Sequence, residues 1–220
     1  MKKGLIKIDW NTVEQYSEEE ITYFLYLEGK SAEAICRIRN IDKLTFQKHI
    51  IDGKIKYRFL AKANSTEEFF KIITSAGKQD KLLVLNSLSK EYKTNLVTFI
   101  KDNYIEMNPK DKETAVWILG ELKEGSYGDI LIKASIHKSV SIRRMAVSAM
   151  GKLGDIKCEP ALIRALDDDN SQVVLYAIKA LIKLNSDKAK EKIEKIMRNT
   201  EKEYLKNAAK EYLSNKEYLD

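Results

Sequence analysis

The chain has 220 residues, of which 44% are hydrophobic and 33% charged, with only two prolines and nine glycines; that balance excludes a disordered tract and points to a helical protein with a charged surface. No stretch approaches the roughly 20 consecutive apolar residues of a membrane span, and Met1-Lys2-Lys3-Gly4-Leu5-Ile6-Lys7-Ile8-Asp9 lacks a signal-type apolar run, so no membrane contact and a cytoplasmic location are expected. The formal charge is only +6, yet residues 30–62 alone hold nine Lys/Arg against three acids, so the excess is local.

From the N-terminus, Ser17-Glu18-Glu19-Glu20 is a capping box that opens a helix with Ile21, Phe24, Leu25 and Leu27 as its apolar stripe, ended by Gly29. Ser31 caps a short helix over Ala32–Arg39. Asn40 supplies a residue tolerant of left-handed backbone, and Asp42 caps a further helix over 43–51. The spacing of Ala32, Ile35, Cys36, Asn40, Ile41, Phe46 and Ile50 resembles a bacterial helix-turn-helix. Cys36 takes the place of the small residue in the first helix, Asn40 that of the turn residue and Phe46 that of the apolar residue that packs back. Asn40 stands where glycine is more usual, and His49 where an aliphatic residue is expected.

The resemblance implies DNA contact through helix 43–51, with Thr45 and Gln47 on base edges and Lys43 and Lys48 on phosphates; Lys54, Lys56 and Arg58 extend the backbone contacts. The alternative is a module that only packs or dimerises. Ile55-Lys56-Tyr57-Arg58-Phe59-Leu60 reads equally as a strand, a wing or another helix. Ser65-Thr66-Glu67-Glu68 is a second capping box, opening a helix over 66–76. The boundary between an N-terminal module (1–62) and the remainder (63–220) is expected near 61–64.

Beyond that boundary a 31-residue period places Val84, Ala115, Ala146, Ala177 and Ala208 at equivalent positions, and Phe69, Ile100, Leu131, Leu162 and Ile193 at a second set. The first set sits in the first helix of each pair and the second set in the second helix. A lone pair could not bury both faces, so the pairs must stack. Gly154-Asp155 ends one first helix, Pro160 suits the opening turn of a second helix, and Asp167-Asp168-Asp169-Asn170 closes that pair. The run from Ser141-Ile142-Arg143-Arg144-Met145-Ala146 through Gly151-Lys152-Leu153-Gly154-Asp155 to Ala161-Leu162-Ile163-Arg164-Ala165-Leu166 resembles the HEAT-like repeat, including its bacterial short form. It is clearest over 110–198, with more polar copies at 78–109 and 200–220. The expected fold is all-α: a right-handed α-α superhelix preceded by the small helix-turn-helix-like module.

In HEAT proteins second helices line the concave surface, so the resemblance turns Lys133, Arg164 and Lys195, one repeat apart, into a stripe for an acidic peptide or a phosphate backbone. The alternative is that Asp129, Glu159, Asp168, Glu191 and Glu194 neutralise it. No catalytic constellation emerges. His49 and His137 are the only histidines, no phosphate loop or HExxH is present, and Asp167-Asp168-Asp169 lacks the spacing of a calcium loop. Cys36 and Cys158 have no zinc-ligand spacing and read as core thiols. Some HEAT-like proteins are DNA glycosylases, but no aromatic cluster with a partner carboxylate carries that activity over; others are bilin lyases, a likeness that rests on the repeat alone and gives no residue to carry chemistry. The expectation is a non-enzymatic adaptor without cofactor, metal or small-molecule substrate, binding a protein with DNA as a candidate further contact, or else a pure protein scaffold, with a HEAT-like DNA glycosylase-type enzyme as the remaining alternative.

Overall fold

The computed structural model describes residues 3–123 and 127–217. Every regular element among them is helical, and the chain divides into two compact units, Met1–Leu96 and Val97–Asp220.

In the first unit, a 3-10 segment (Trp10–Gln15) leads to α1 (Glu18–Leu27), α2 (Ala32–Arg39), α3 (Lys43–Tyr57), α4 (Thr66–Ser75) and α5 (Lys78–Ser87). The Ser17 capping box forms in full: Ser17 Oγ accepts from Glu20 N–H, and the Glu20 carboxylate accepts from Ser17 N–H at 2.9 Å. Asn40 is left-handed at φ 50° and ends α2, and Asp42 caps α3 by accepting from Thr45 N–H at 2.7 Å. The box expected at Ser65 is one-sided. Ser65 Oγ accepts from Glu68 N–H, but the Glu68 carboxylate turns to Asn64 N–H at 2.8 Å.

Packing of α3 on α1 settles the reading left open at 55–60. The helix continues to Tyr57, two turns past the expected end at Ile51, and no strand or wing forms. Gly53 makes this possible without ending the helix, because a Cβ there would lie 2.3 Å from Tyr23 Cγ. The extension brings Tyr57 against α1, stacked on Tyr23 at 5.8 Å and tilted against Phe24 at 5.3 Å. His49 is buried in the same contact, with Nδ1 3.0 Å from Thr22 Oγ1. Thr22 spends its one hydroxyl proton on the Glu18 carbonyl, so Nδ1–H is the donor to Thr22. The aliphatic residue expected at 49 is thus replaced by a buried imidazole whose polar atom is satisfied.

The division between units falls within α6 (Lys90–Asn103). Beyond it come α7 (Pro109–Leu122), α8 (Gly128–Ala134), α9 (Val140–Leu153), α10 (Glu159–Arg164), α11 (Ser171–Lys183), α12 (Lys190–Asn199) and α13 (Glu203–Glu217). The odd-numbered helices from α7 form a row, each packed on the next. The short helices α8, α10 and α12 each pack on the long helix that follows. Ala115, Ala146 and Ala177, 31 residues apart, are fully buried in that row, as are Leu131, Leu162 and Ile193 on the short helices. Gly154, at φ 70°, ends α9 and Pro160 lies in the first turn of α10, as expected.

Small residues set the spacing of the row. A Cβ on Gly120 would stand 2.8 Å from Ala149 Cβ, and one on Gly151 would stand 2.7 Å from Ala180 Cβ. The two contacts are equivalent, one repeat apart, and both are below any normal Cβ separation. The next position in the series is Ile182, so the tight seam stops at α11.

Candidate interaction surfaces

The seven N-terminal candidates separate into two groups. Lys43, Gln47 and Lys48 are exposed on the first two turns of α3, and Lys54 is exposed further along with its ammonium 5.8 Å from the Tyr26 ring centroid. Thr45 is only half-exposed. Lys56 and Arg58 are engaged within the unit: Lys56 Nζ meets Glu20 Oε1 at 2.8 Å, and Arg58 pairs with Asp80. Burial pushes the Glu20 carboxyl upward, but hydrogen bonds from Lys56, Tyr57 and Ser17 N–H outweigh it and leave its pKa below the ordinary value. The same contacts act on Tyr57 in the other direction, where burial and the Glu20 carboxylate raise the phenol. Arg39 pairs with Glu18. Three of the nine cations counted over residues 30–62 are therefore internal ties.

In the second unit Lys133 lies at the end of α8, Arg164 at the end of α10 and Lys195 within α12; all three are exposed and none makes an ion pair with a described residue. Three of the five acids near them in sequence bond elsewhere, whereas Asp129 and Glu191 form no ion pair with a described residue. Glu159, 5% exposed, receives Lys188 Nζ at 2.8 Å, and this bond holds its carboxyl below the usual range. Asp168 takes Arg143 in a bidentate pair at 2.6 and 2.9 Å, and Glu194 sits 3.6 Å from Arg198.

Sequence reading missed the structural weight of Asp168. Its side chain is 9% exposed, and Arg143 lowers its pKa from the ordinary value. Arg143 also donates to the His137 and Lys138 carbonyls at 3.0 and 3.2 Å, tying the turn before α9 to the turn after α10. Asp167 pairs with Lys192. The acidic run is thus a set of turn-to-helix ties, and among the described residues no group of three His, Cys, Asp or Glu side chains is placed to hold a metal ion.

A second missed feature lies on the long helices. Where Ile182 interrupts the small-residue seam, a groove of about 370 Å³ opens among α9, α11 and α13, bordered by Lys152, Tyr176, Lys179, Lys183 and Glu211. Arg144 stands 5.7 Å from the Tyr176 ring centroid, and Lys152 reaches Glu121, one repeat earlier, at 2.6 Å. The signal was present in the sequence as Gly120, Gly151, Ile182. Trp117 is half-buried on α7, whereas Trp10 belongs to the first unit and donates Nε1–H to Glu28 at 3.0 Å. Cys36 and Cys158 are free thiols, and burial raises Cys158 to about 11. Among the described residues no helix is long and apolar enough to cross a membrane.

No curated protein matches the chain. A family model described as HEAT repeats matches residues 101–174 and again 129–214, overlapping copies that together span just over half of it. These limits coincide with the row of long helices and the short helices between them, so the chain belongs to the HEAT repeat family.

Proposed function

We propose that the chain is a non-enzymatic scaffold whose second unit holds an acidic segment of a partner protein along Lys133, Arg164 and Lys195. The observation that carries this is the exposure of the three cations without internal partners, while Glu159, Asp168 and Glu194 are taken by other bases. A repeat spacing of cations gives an extended chain successive contacts at equal intervals, and each remains hydrated and ready to exchange water for carboxylate. The two free thiols, one of them buried, suit the reducing cytoplasm.

The test is surface plasmon resonance on the full chain with an immobilised Asp/Glu-rich peptide. Binding should weaken with added salt and fall by about tenfold or more in a Lys133→Glu/Arg164→Glu/Lys195→Glu variant with unchanged circular dichroism. Equal binding by that variant removes the proposal.

A second reading, contact with DNA through α3, is favoured by Lys43, Gln47 and Lys48 standing exposed together on its first two turns. It predicts retardation of duplex DNA at low salt, weakening steeply with ionic strength and lost in Lys43→Glu/Lys48→Glu. Absence of any shift at low salt excludes it.

A further inference from the structure

Helix α3 has two apolar faces, and only one is covered. Phe46, Ile50 and Gly53 are buried, whereas Leu44 is 76%, Ile51 57% and Ile55 60% exposed. Positions 44, 48, 51 and 55 fall at helical spacing, so the three apolar side chains form a stripe with Lys48 among them. Leu83 on α5, 65% exposed, continues it. Between Ile55 and Leu83 a groove of about 350 Å³ runs along α3 and α5, with Phe59 and Val84 also in its walls and the Lys56, Arg58, Asp52 and Asp80 side chains at its edges. Single exposed apolar residues are ordinary, but four in a ribbon beside an apolar groove mark a contact surface.

Charge decides what fits. Lys43, Lys48 and Lys54 border the ribbon and make no direct ion pair with a described carboxylate, although Glu33 on α2 and Glu19 on α1 stand near enough to act on Lys43 and Lys48; Asp52 is the one acid on α3, and Lys56 and Arg58 are already neutralised by Glu20 and Asp80. A second copy of the chain would set cations against cations across the contact. A phosphate backbone would satisfy the lysines but leave Ile51 and Ile55 without apolar cover. A helix with its own apolar stripe at i, i+4 and i+7 and carboxylates on its flanks satisfies both requirements.

We infer that the α3 ribbon and the α3–α5 groove are the docking site for an acidic amphipathic helix of a partner protein. This site is independent of the cation row in the second unit.

The probe is a fluorescein-labelled 18-residue peptide with Leu at i, i+4, i+7 and i+11 and Glu at most other positions, compared by anisotropy with a scrambled peptide of identical composition. The full chain should bind the first saturably and the second more weakly, through the cation row of the second unit alone. Ile51→Asp/Ile55→Asp should lower the affinity by about tenfold or more, and both side chains are exposed enough to leave the helical signal and the urea midpoint unchanged. In the Lys133→Glu/Arg164→Glu/Lys195→Glu background, which removes the second unit's affinity for acidic chains, the helical peptide should still bind saturably and the scrambled one should not, which separates failure of this inference from failure of the scaffold reading. Three results overturn it: no saturable binding, equal affinity for the two peptides, or an Ile51→Asp/Ile55→Asp variant that binds as well as the parent. Sedimentation velocity covers the other occupant, since a concentration-dependent dimer abolished by Ile51→Asp would assign the ribbon to a second copy.

Discussion

Gly151 lies in the last turn of α9, where alanine is ordinarily favoured over glycine by up to about 1 kcal/mol because it restricts the unfolded chain. Here the added methyl meets Ala180 Cβ at 2.7 Å and Ala180 Cα at 3.0 Å, with backbone rather than a yielding side-chain tip behind it. Overpacking of that kind costs about 1–3 kcal/mol, so Gly151→Ala is expected to be destabilising by about 1–2 kcal/mol in urea denaturation. Gly128→Ala is the control, because its nearest contact is Cys158 Sγ at an ordinary 3.5 Å; it should be neutral or mildly stabilising. Also at this scale, the Arg143–Asp168 pair makes stability depend on pH. The Asp168 pKa is lowered in the fold, so the stabilisation is complete above the ordinary carboxylate range and disappears as pH falls through the depressed folded value. Asp168→Asn should therefore cost about 2 kcal/mol at neutral pH. Its deficit relative to the parent should shrink below about pH 4. A deficit that stayed constant down to pH 2 would mean that the carboxylate charge is immaterial.

At the level of the element, local chemistry was readable wherever a cap or turn is made within a few residues. Ser17, Ser31, Asn40 and Asp42 place the start of α1, both ends of α2 and the start of α3 as expected, because each acts on backbone within three or four positions. The end of α3 was not readable, because Gly53 looks like a weak point in isolation and only the Tyr23 ring opposite explains its place. The same limit applied to charge. Sequence neighbours were offered as neutralisers of Lys133, Arg164 and Lys195, yet Glu159 pairs 29 residues on and Asp168 pairs 25 residues back, across turns that proximity along a helix does not describe. On the outward face of α3 the polar residues are legible in sequence, whereas Leu44, Ile51 and Ile55 beside them look like core residues, because exposure is a tertiary fact. One prediction belongs to the turn between α2 and α3. Asn40 holds φ 50°, so Asn40→Ala should be destabilising by about 1 kcal/mol while Asn40→Gly should not. Equal effects of the two would show that the Asn side chain, rather than the backbone geometry, matters.

Across the second unit the 31-residue period was legible because a row of equivalent contacts imposes the same burial on every copy: Ala115, Ala146 and Ala177 are fully enclosed, and so are their second-helix counterparts. The groove at Ile182 escaped notice because it arises where the pattern changes. Such a row raises the question of whether its members unfold singly or together, since each long helix touches mainly its neighbours. Trp117 on α7 offers a local reporter once Trp10, in the other unit, is replaced by phenylalanine. Gly151→Ala acts at the contact between α9 and α11, and α7 does not take part in that contact. If the helices are coupled strongly through α9, the urea midpoint of Trp117 fluorescence in Trp10→Phe/Gly151→Ala should fall well below that of Trp10→Phe. The expected loss is the same 1–2 kcal/mol or so that the direct contact costs. A Trp117 midpoint that stays put while another probe on α11 shifts would mean that the repeats open independently. A partner spanning Lys133, Arg164 and Lys195 would then have to order the row as it bound. Cooperative unfolding instead means that the three cations are presented at fixed spacing before any partner arrives, which lowers the entropic cost of binding along the stripe.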